Sequence, residues 1–290
     1  MSVLDPGGIP PGSSTQEERY RGGVEVLQRA LIDGCPATID EASRAIAVNS
    51  AHLGDGAFET IGVWGGRAFR VADHLRRLCR SLEAIGLPAP DPARIAADIA
   101  AVLDGVGEVD AMLRIYGTGS GTRVVTLLDQ PVRPVPHHLV PMPAPWIRPC
   151  DTYGPAGAKT MSYAPNMAAT RAARAAGGDD ALLLANEGWV LEGPTFAVLW
   201  VVGGILRTPA LDLGIIDSIT RRTLLELAEV PVEEDRWTLD ELACASEIML
   251  SSSIRGVEPV RQVGDLCVGA QTPVRDGLAA ALWAARRSPG

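Results

Sequence analysis

The sequence predicts a mixed α/β (α+β) protein of two domains. Three features predict it: strand pairs joined by glycine turns, amphipathic helices set among them, and six prolines between residues 130 and 145 that divide the chain. Strands and helices do not follow a regular βαβ alternation, and no repeat of solenoid period occurs.

At 290 residues and 47% hydrophobic, the chain can bury a large core. A formal net charge of -9 argues against nucleic-acid or anionic-membrane partners and favours small-molecule chemistry. The five cysteines, Cys35, Cys79, Cys150, Cys244 and Cys267, are scattered without a CxxC pair and read as reduced core thiols of a cytoplasmic protein. His52 and His74 are isolated and His137 adjoins His138, so no metal-ligand spacing arises and structural roles are expected.

Residues 1–20, rich in Gly, Pro and Ser, read as a flexible tail without a secretory signal. Residues 21–130 form the smaller domain. Within it, "FETIGVWGGRAFRV" is a hairpin turning at Gly65-Gly66, because glycine supplies the positive φ of a two-residue turn. Asp73 is read as the cap of "HLRRLCRSLEAIG", whose Leu75, Leu78, Leu82 and Ile85 share a helix face and whose Gly86 ends it. Asp91 and Pro92 open a second helix, and "AMLRIYGTGSGTRVVTLLD" makes two strands. Residues 131–145 read as a semi-rigid proline-rich link.

Residues 146–290 form the larger domain. "MAATRAARAAGG" reads as a helix, "DALLLANEGWVLEG" and "AVLWVVGGILRTP" as strands, and "SITRRTLLELAEV" as a helix. Thr238 and Glu241 are read as a capping box, and "EIMLSSS" closes as a strand. The longest apolar stretch, "WVLEGPTFAVLWVVGGIL", is too interrupted to span a membrane.

Chemistry centres on "AGAKTMSYAPN", residues 156–166. Lys159 is the single lysine among 26 Lys and Arg residues. Arginine replaces lysine as a charge but cannot act as an amine nucleophile, so a position that forms a Schiff base must stay lysine. An aldehyde cofactor such as pyridoxal phosphate also needs an acid for its ring nitrogen and a phosphate cradle. Glu192, ending an apolar strand in "VLEGPT", supplies the acid. The amides of Ile219 and Thr220 at a helix start, the hydroxyls of Ser252 and Ser253 in "LSSSIRG", and Arg77 in "HLRRL" supply the cradle.

With "GDGAFET" (54–60), "DHLRRL" (73–78), "KTMSY" (159–163), "DDALLLANEGWVLEG" (179–193), "GIIDSITRRTL" (214–224) and "SSSIRGVEPV" (251–260), the chain resembles the class IV aminotransferases. These are the fold-type IV pyridoxal phosphate enzymes, which include D-amino-acid and branched-chain aminotransferases, (R)-amine transaminases and aminodeoxychorismate lyase. The resemblance implies a small α/β domain plus a larger pseudo-barrel domain, assembled as a homodimer. It makes Lys159 the Schiff-base lysine and proton shuttle, and Glu192 the partner of the pyridine nitrogen. Arg77, the amides of Ile219 and Thr220, Ser252 and Ser253 would hold the phosphate, with Tyr163 close by.

Two departures bear on substrate. "EGPTFA" stands where many members read "EGxxSN", so Pro194, Phe196 and Ala197 make a more apolar pocket wall, and Phe58 of "GDGAFET" joins Phe196 as a candidate substrate contact. "YGTGSG" offers Gly119 where some members carry a strand arginine; either Arg114, on the preceding strand, substitutes in receiving a substrate carboxylate, or the preferred substrate does not need that clamp. Transamination between an amino donor and a keto acid leads, and pyruvate elimination from aminodeoxychorismate is the alternative. A non-catalytic binding protein ranks last, because it would not need to keep Lys159.

Overall fold

The computed structural model describes residues 27–131, 135, 137–144 and 156–288. The expected N-terminal tail lies outside these residues.

The first region is an antiparallel six-stranded sheet, β1 (Gln28–Ile32), β2 (Cys35–Ala37), β3 (Gly56–Trp64), β4 (Arg67–Ala68), β5 (Ala111–Thr118) and β6 (Arg123–Asp129), in the order β2-β1-β6-β5-β3-β4. Its first two strands and helix α1 (Ile39–Ile46) precede the Gly65-Gly66 hairpin. Gly65 and Gly66 turn that hairpin with φ of 56° and 74°.

Strand alternation gives the sheet two faces. Ile61, Val63, Leu113, Ile115 and Leu127 form one core with Leu75, Leu78 and Leu82 of α2 (Val71–Ala84) and Ile95, Ile99 and Val102 of α3 (Pro92–Leu103). The intervening Phe58, Thr60, Met112, Arg114 and Tyr116 face a cavity. Asp91 caps α3 as expected, accepting the Ala93 amide at 2.9 Å. Asp73 does not cap α2. The cap is Arg70, at φ 55°, and Asp73 sits in the first turn between Arg70 and Arg76.

The proline-rich segment is corrected in part. His138–Pro143 forms strand β7, parallel to β8 (Asp180–Leu184), with Leu139 fully buried, rather than a link. The prolines are tolerated because β14 (Gln262–Val263) pairs only with His138 and Leu139, leaving Pro141 and Pro143 on an unpaired edge. Two-residue β15 (Leu266–Cys267) completes this four-stranded sheet, and α4 (Ala164–Ala175) covers it through Ala169 and Ala173.

Strands β9 (Ala197–Val202), β10 (Ile205–Pro209), β11 (Val232–Asp235), β12 (Glu247–Ser252) and β13 (Gly256–Val260) form the remaining sheet, ordered β11-β10-β9-β12-β13. Val198, Trp200, Ile248 and Leu250 pack toward Leu139 and Leu182 of the four-stranded sheet, giving a half-barrel. The alternate residues Leu199, Val201 and Met249 pack outward against α5 (Ile219–Leu227) and α7 (Pro273–Arg287) through Leu224, Leu278 and Leu282.

Thr238 precedes short α6 (Leu239–Ala243) but makes no side-chain cap, so the expected box is absent; Glu241 is taken by Arg207 at 3.0 Å. The same T-x-D-E pattern at Thr38–Glu41 does form a box on α1, with Glu41 Oε2 accepting the Thr38 amide at 2.8 Å. The cysteines are corrected too: Cys35, Cys244 and Cys267 are exposed at edge strands and a helix end, Cys79 is half-buried, and Cys150 lies outside the described residues. Among the described residues, no helix is long and apolar enough to cross a membrane.

Candidate active site

A cavity of about 760 Å³ lies between the two regions. The Lys159 segment crosses it as an extra edge of β3: Phe58 N–H donates to Lys159 O at 3.1 Å, and Met161 N–H to Gly56 O at 2.8 Å. The Lys159 amide donates to Ser81 Oγ of α2 at 3.0 Å. The backbone under the amine is therefore fixed from both sides. Its Nζ donates to Tyr163 Oη at 3.0 Å and stands 4.5 Å from the Phe58 ring centroid.

The first wall is ionic. Glu59, wholly buried on β3, accepts from Arg77 Nε and Nη2 and meets His74 Nδ1, each at 2.7 Å. Arg77 Nη1 donates to the Asp217 carbonyl at 2.7 Å. Burial pushes the Glu59 carboxyl up, but the charges and hydrogen bonds of Arg77 and His74 outweigh it and hold the group far below the usual carboxylate range. Burial is the largest influence on His74 and lowers its pKa; the charge and hydrogen bond of Glu59 oppose it, and the charges of Arg77 and Lys159 add to it, leaving the pKa below the usual histidine value. His74 is therefore neutral near pH 7, and its hydrogen bond to the carboxylate requires the proton on Nδ1.

The second wall is built largely from backbone. Ser218 caps α5 by accepting the Arg221 amide at 3.3 Å, so the helix opens beside the cavity with the Ile219 and Thr220 amides in its first turn. Those two residues are buried, and Ile216 and Ser218, which precede them in the chain, line the cavity. Glu192, 6% exposed, accepts the Ile216 amide at 3.2 and 3.3 Å. Ser252 and Ser253 line the cavity with Ser251, whose buried hydroxyl has no hydrogen-bond partner among the described residues.

The two walls are locked together. Asp217 receives Arg80 at 2.9 Å and Arg222 at 2.6 Å, Arg222 reaches Asp73 at 3.4 Å, and Arg70 meets Glu226.

Phe196 is 4% exposed and belongs to the barrel core while forming part of the cavity wall. Arg114 lines the cavity, with Nη1 on Tyr116 Oη at 3.3 Å and a buried Nε that finds no partner among the described residues. At Gly119 a Cβ would stand 2.0 Å from Asp55 Oδ2, so a side chain there requires Asp55 to move. Of the expected residues, Phe58, Arg77, Arg114, Lys159, Tyr163, Glu192, Phe196, Ser252 and Ser253 line one cavity; Ile219 and Thr220 are buried in the first turn of α5 and do not line it.

The family model "Amino-transferase class IV" matches residues 56–263. The chain belongs to the class IV aminotransferases. A bifunctional aminodeoxychorismate lyase / D-amino acid transaminase of Mycobacterium tuberculosis is 32% identical over 62% of this chain and 70% of its own. A fold IV-transaminase of Curtobacterium pusillum superposes with a TM-score of 0.79 at 27% identity, covering 89% of this chain and 98% of its own. A hypothetical aminotransferase from Mycobacterium tuberculosis in PLP-bound form gives 0.77 at 26% identity, covering 90% of this chain and 99% of its own. The chain is thus a pyridoxal-phosphate-dependent enzyme of fold type IV, from a family that acts on amino and keto acids.

The site of this class IV enzyme fits the cofactor: one amine, one buried carboxylate, a helix N-terminus and a serine hydroxyl without a partner among the described residues surround a single space. Sequence reading did not single out Glu59, Ser81, Ser218 or Ser251, and it gave His74 only a structural role. Strand alternation under an amphipathic helix could have found Glu59, because a carboxylate on the core side of β3 requires a cationic partner. Arg286 was also missed. It is 6% exposed, donates to Ser253 O at 2.9 Å and lies 4.3 Å over the Trp64 ring, and burial lowers its pKa to about 10.

Proposed function

We propose that this enzyme is a transaminase that moves an amino group from an amino acid or amine to a keto acid, with Lys159 as its catalytic residue. The observation that carries the proposal is the Lys159 amine, bonded to Tyr163 inside a cavity whose opposite wall holds Glu192 and the α5 N-terminus. Bound pyridoxal phosphate supplies an aldehyde for the amino group and a ring that accepts electron density from the substrate Cα. In this proposal the Lys159 amine would hold the cofactor covalently and would serve as the base that moves the proton at the substrate Cα. Tyr163 holds Nζ over the cavity, and Glu192 keeps the ring nitrogen protonated.

Arg77, the Ile219 and Thr220 amides, Ser252 and Ser253 take the phosphate in the same proposal. Arg114, with donor capacity to spare, receives a substrate carboxylate, and Phe58 and Phe196 favour a hydrophobic donor such as a D-amino acid or (R)-amine. We also propose a cytoplasmic homodimer. Val48, 76% exposed, precedes the Ser50–Gly54 turn and Leu53, 84% exposed, lies in it; the Gly54 carbonyl of that turn accepts Ser162 Oγ of the cavity wall. Light scattering of the purified protein tests the dimer; a monomeric mass at working concentration removes it.

Aminodeoxychorismate lyase chemistry is the alternative, supported by the Mycobacterium tuberculosis relative described as bifunctional. The deciding experiment records the absorption spectrum of cofactor-loaded protein with D- and L-amino acids and chiral amines, without acceptor. Conversion of the aldehyde-form band to the amine-form band supports transamination and names the donor. A band unchanged by every donor, with pyruvate released from aminodeoxychorismate, establishes the lyase instead.

A further inference from the structure

We infer that Glu59 is a positioning residue for the anion end of the cofactor site, fixing the direction in which Arg77 presents its free N–H groups. The inference rests on the assignment of Arg77 to the cofactor phosphate. Glu59 cannot touch the cofactor itself: Phe58 and Thr60 on either side of it line the cavity, while Glu59 points to the α2 side with no exposed surface.

Both of its oxygens are used, Oε1 by Arg77 Nε and Oε2 by Arg77 Nη2 and His74 Nδ1. A guanidinium has five N–H donors. Two of Arg77's go to Glu59 and one to the Asp217 carbonyl, which leaves one on Nη1 and one on Nη2. The Asp217 carbonyl lies next to Ser218, the cap of α5. The remaining donors are thus registered against the helix start that supplies the Ile219 and Thr220 amides.

Two effects of Glu59 on anion binding oppose each other. Its charge cancels that of Arg77, and by charge alone its removal would tighten phosphate binding. Its fork orients Arg77, and without it two buried donors lose their acceptor, so Arg77 turns to satisfy them. Orientation wins: the charge-assisted fork is directional and buried, and without it the Nε and Nη2 donors that it holds at 2.7 Å drag the whole guanidinium toward another acceptor. His74 completes the arrangement by donating to Oε2 and fixing the carboxylate plane.

The test measures the affinity of the full-length apoprotein for pyridoxal phosphate and for pyridoxal, which lacks the phosphate, by absorbance titration. Glu59→Gln removes the charge. Glu59→Asp keeps the charge but withdraws the carboxylate by one methylene, and it carries the test if the Gln variant does not fold. Both are expected to weaken pyridoxal phosphate binding by about tenfold or more while leaving pyridoxal within about twofold. Wild-type selectivity in Glu59→Asp, tighter pyridoxal phosphate binding in Glu59→Gln, or equal weakening of both ligands overturns the inference. Arg77→Gln is the control: if it does not reduce phosphate selectivity, the assignment of Arg77 to the phosphate fails instead.

Discussion

The two walls of the cavity hold their polar groups by different means. On the first, the Glu59–His74–Arg77 cluster and Ser81 are side chains interlocked on β3 and α2, and α2 also carries Ser81 to the Lys159 amide. On the second, the polar groups are the first turn of α5 and a serine turn after β12, held by the Ser218 cap and by Arg286 on the Ser253 carbonyl. A side-chain lattice fixes direction but fails as a unit when one member is lost, because each partner is then buried without its mate. A backbone wall tolerates substitution better, since the helix keeps its amides when a cap is removed. The first wall should therefore be the more fragile of the two.

The largest test of this contrast is at the amine itself. Lys159→Ala and Lys159→Arg are both expected to lower turnover by about 10³-fold or more, read by single-turnover kinetics. Substantial activity in the Arg variant would show that charge, not amine chemistry, is what the first wall positions. Across the cavity, Glu192→Gln keeps an acceptor for the Ile216 amide but loses the carboxylate charge. Its kcat should fall by about 10²-fold with little change in thermal stability.

Ser81→Ala leaves the Lys159 amide without its acceptor and should cost about 1–3 kcal/mol in urea unfolding of the apoprotein. His74 gives the first wall a pH signature. Its folded pKa is depressed, so the unfolded chain binds the proton first, and the associated stability is present above about pH 6.5 and lost as the pH falls through the folded value. Stability should fall by up to about 1.4 kcal/mol per pH unit below that point, and His74→Gln should flatten the slope. Ser218→Ala, on the second wall, should cost only about 1 kcal/mol, the loss of one cap. A larger loss than that of Ser81→Ala would reverse the ranking of the walls.

Much of the site was legible because its chemistry admits few substitutes. A lone lysine, a glutamate ending an apolar strand and a helix start at Ile219 and Thr220 are visible in one dimension, and nine of the expected residues line the same cavity. Less legible was whatever depends on competition between distant groups. Thr38-Ile39-Asp40-Glu41 and Thr238-Leu239-Asp240-Glu241 carry nearly the same local signal, yet only the first closes a capping box, because Arg207 draws Glu241 away. Pro141 and Pro143 announced a link, and the shortness of β14 made them strand residues instead.

By itself, the sequence determined the mixed α/β class, the helix faces, the glycine turns and the identity of the amine, because these follow from local periodicity and from what a side chain can do chemically. Tertiary structure decided that Glu59 and His74 would orient Arg77, that Ser81 would hold Lys159, and that the α5 N-terminus would meet α2 through Asp217. Those pairings join residues 15 to 140 positions apart, and a buried polar group chooses its partner by position in space rather than by distance along the chain.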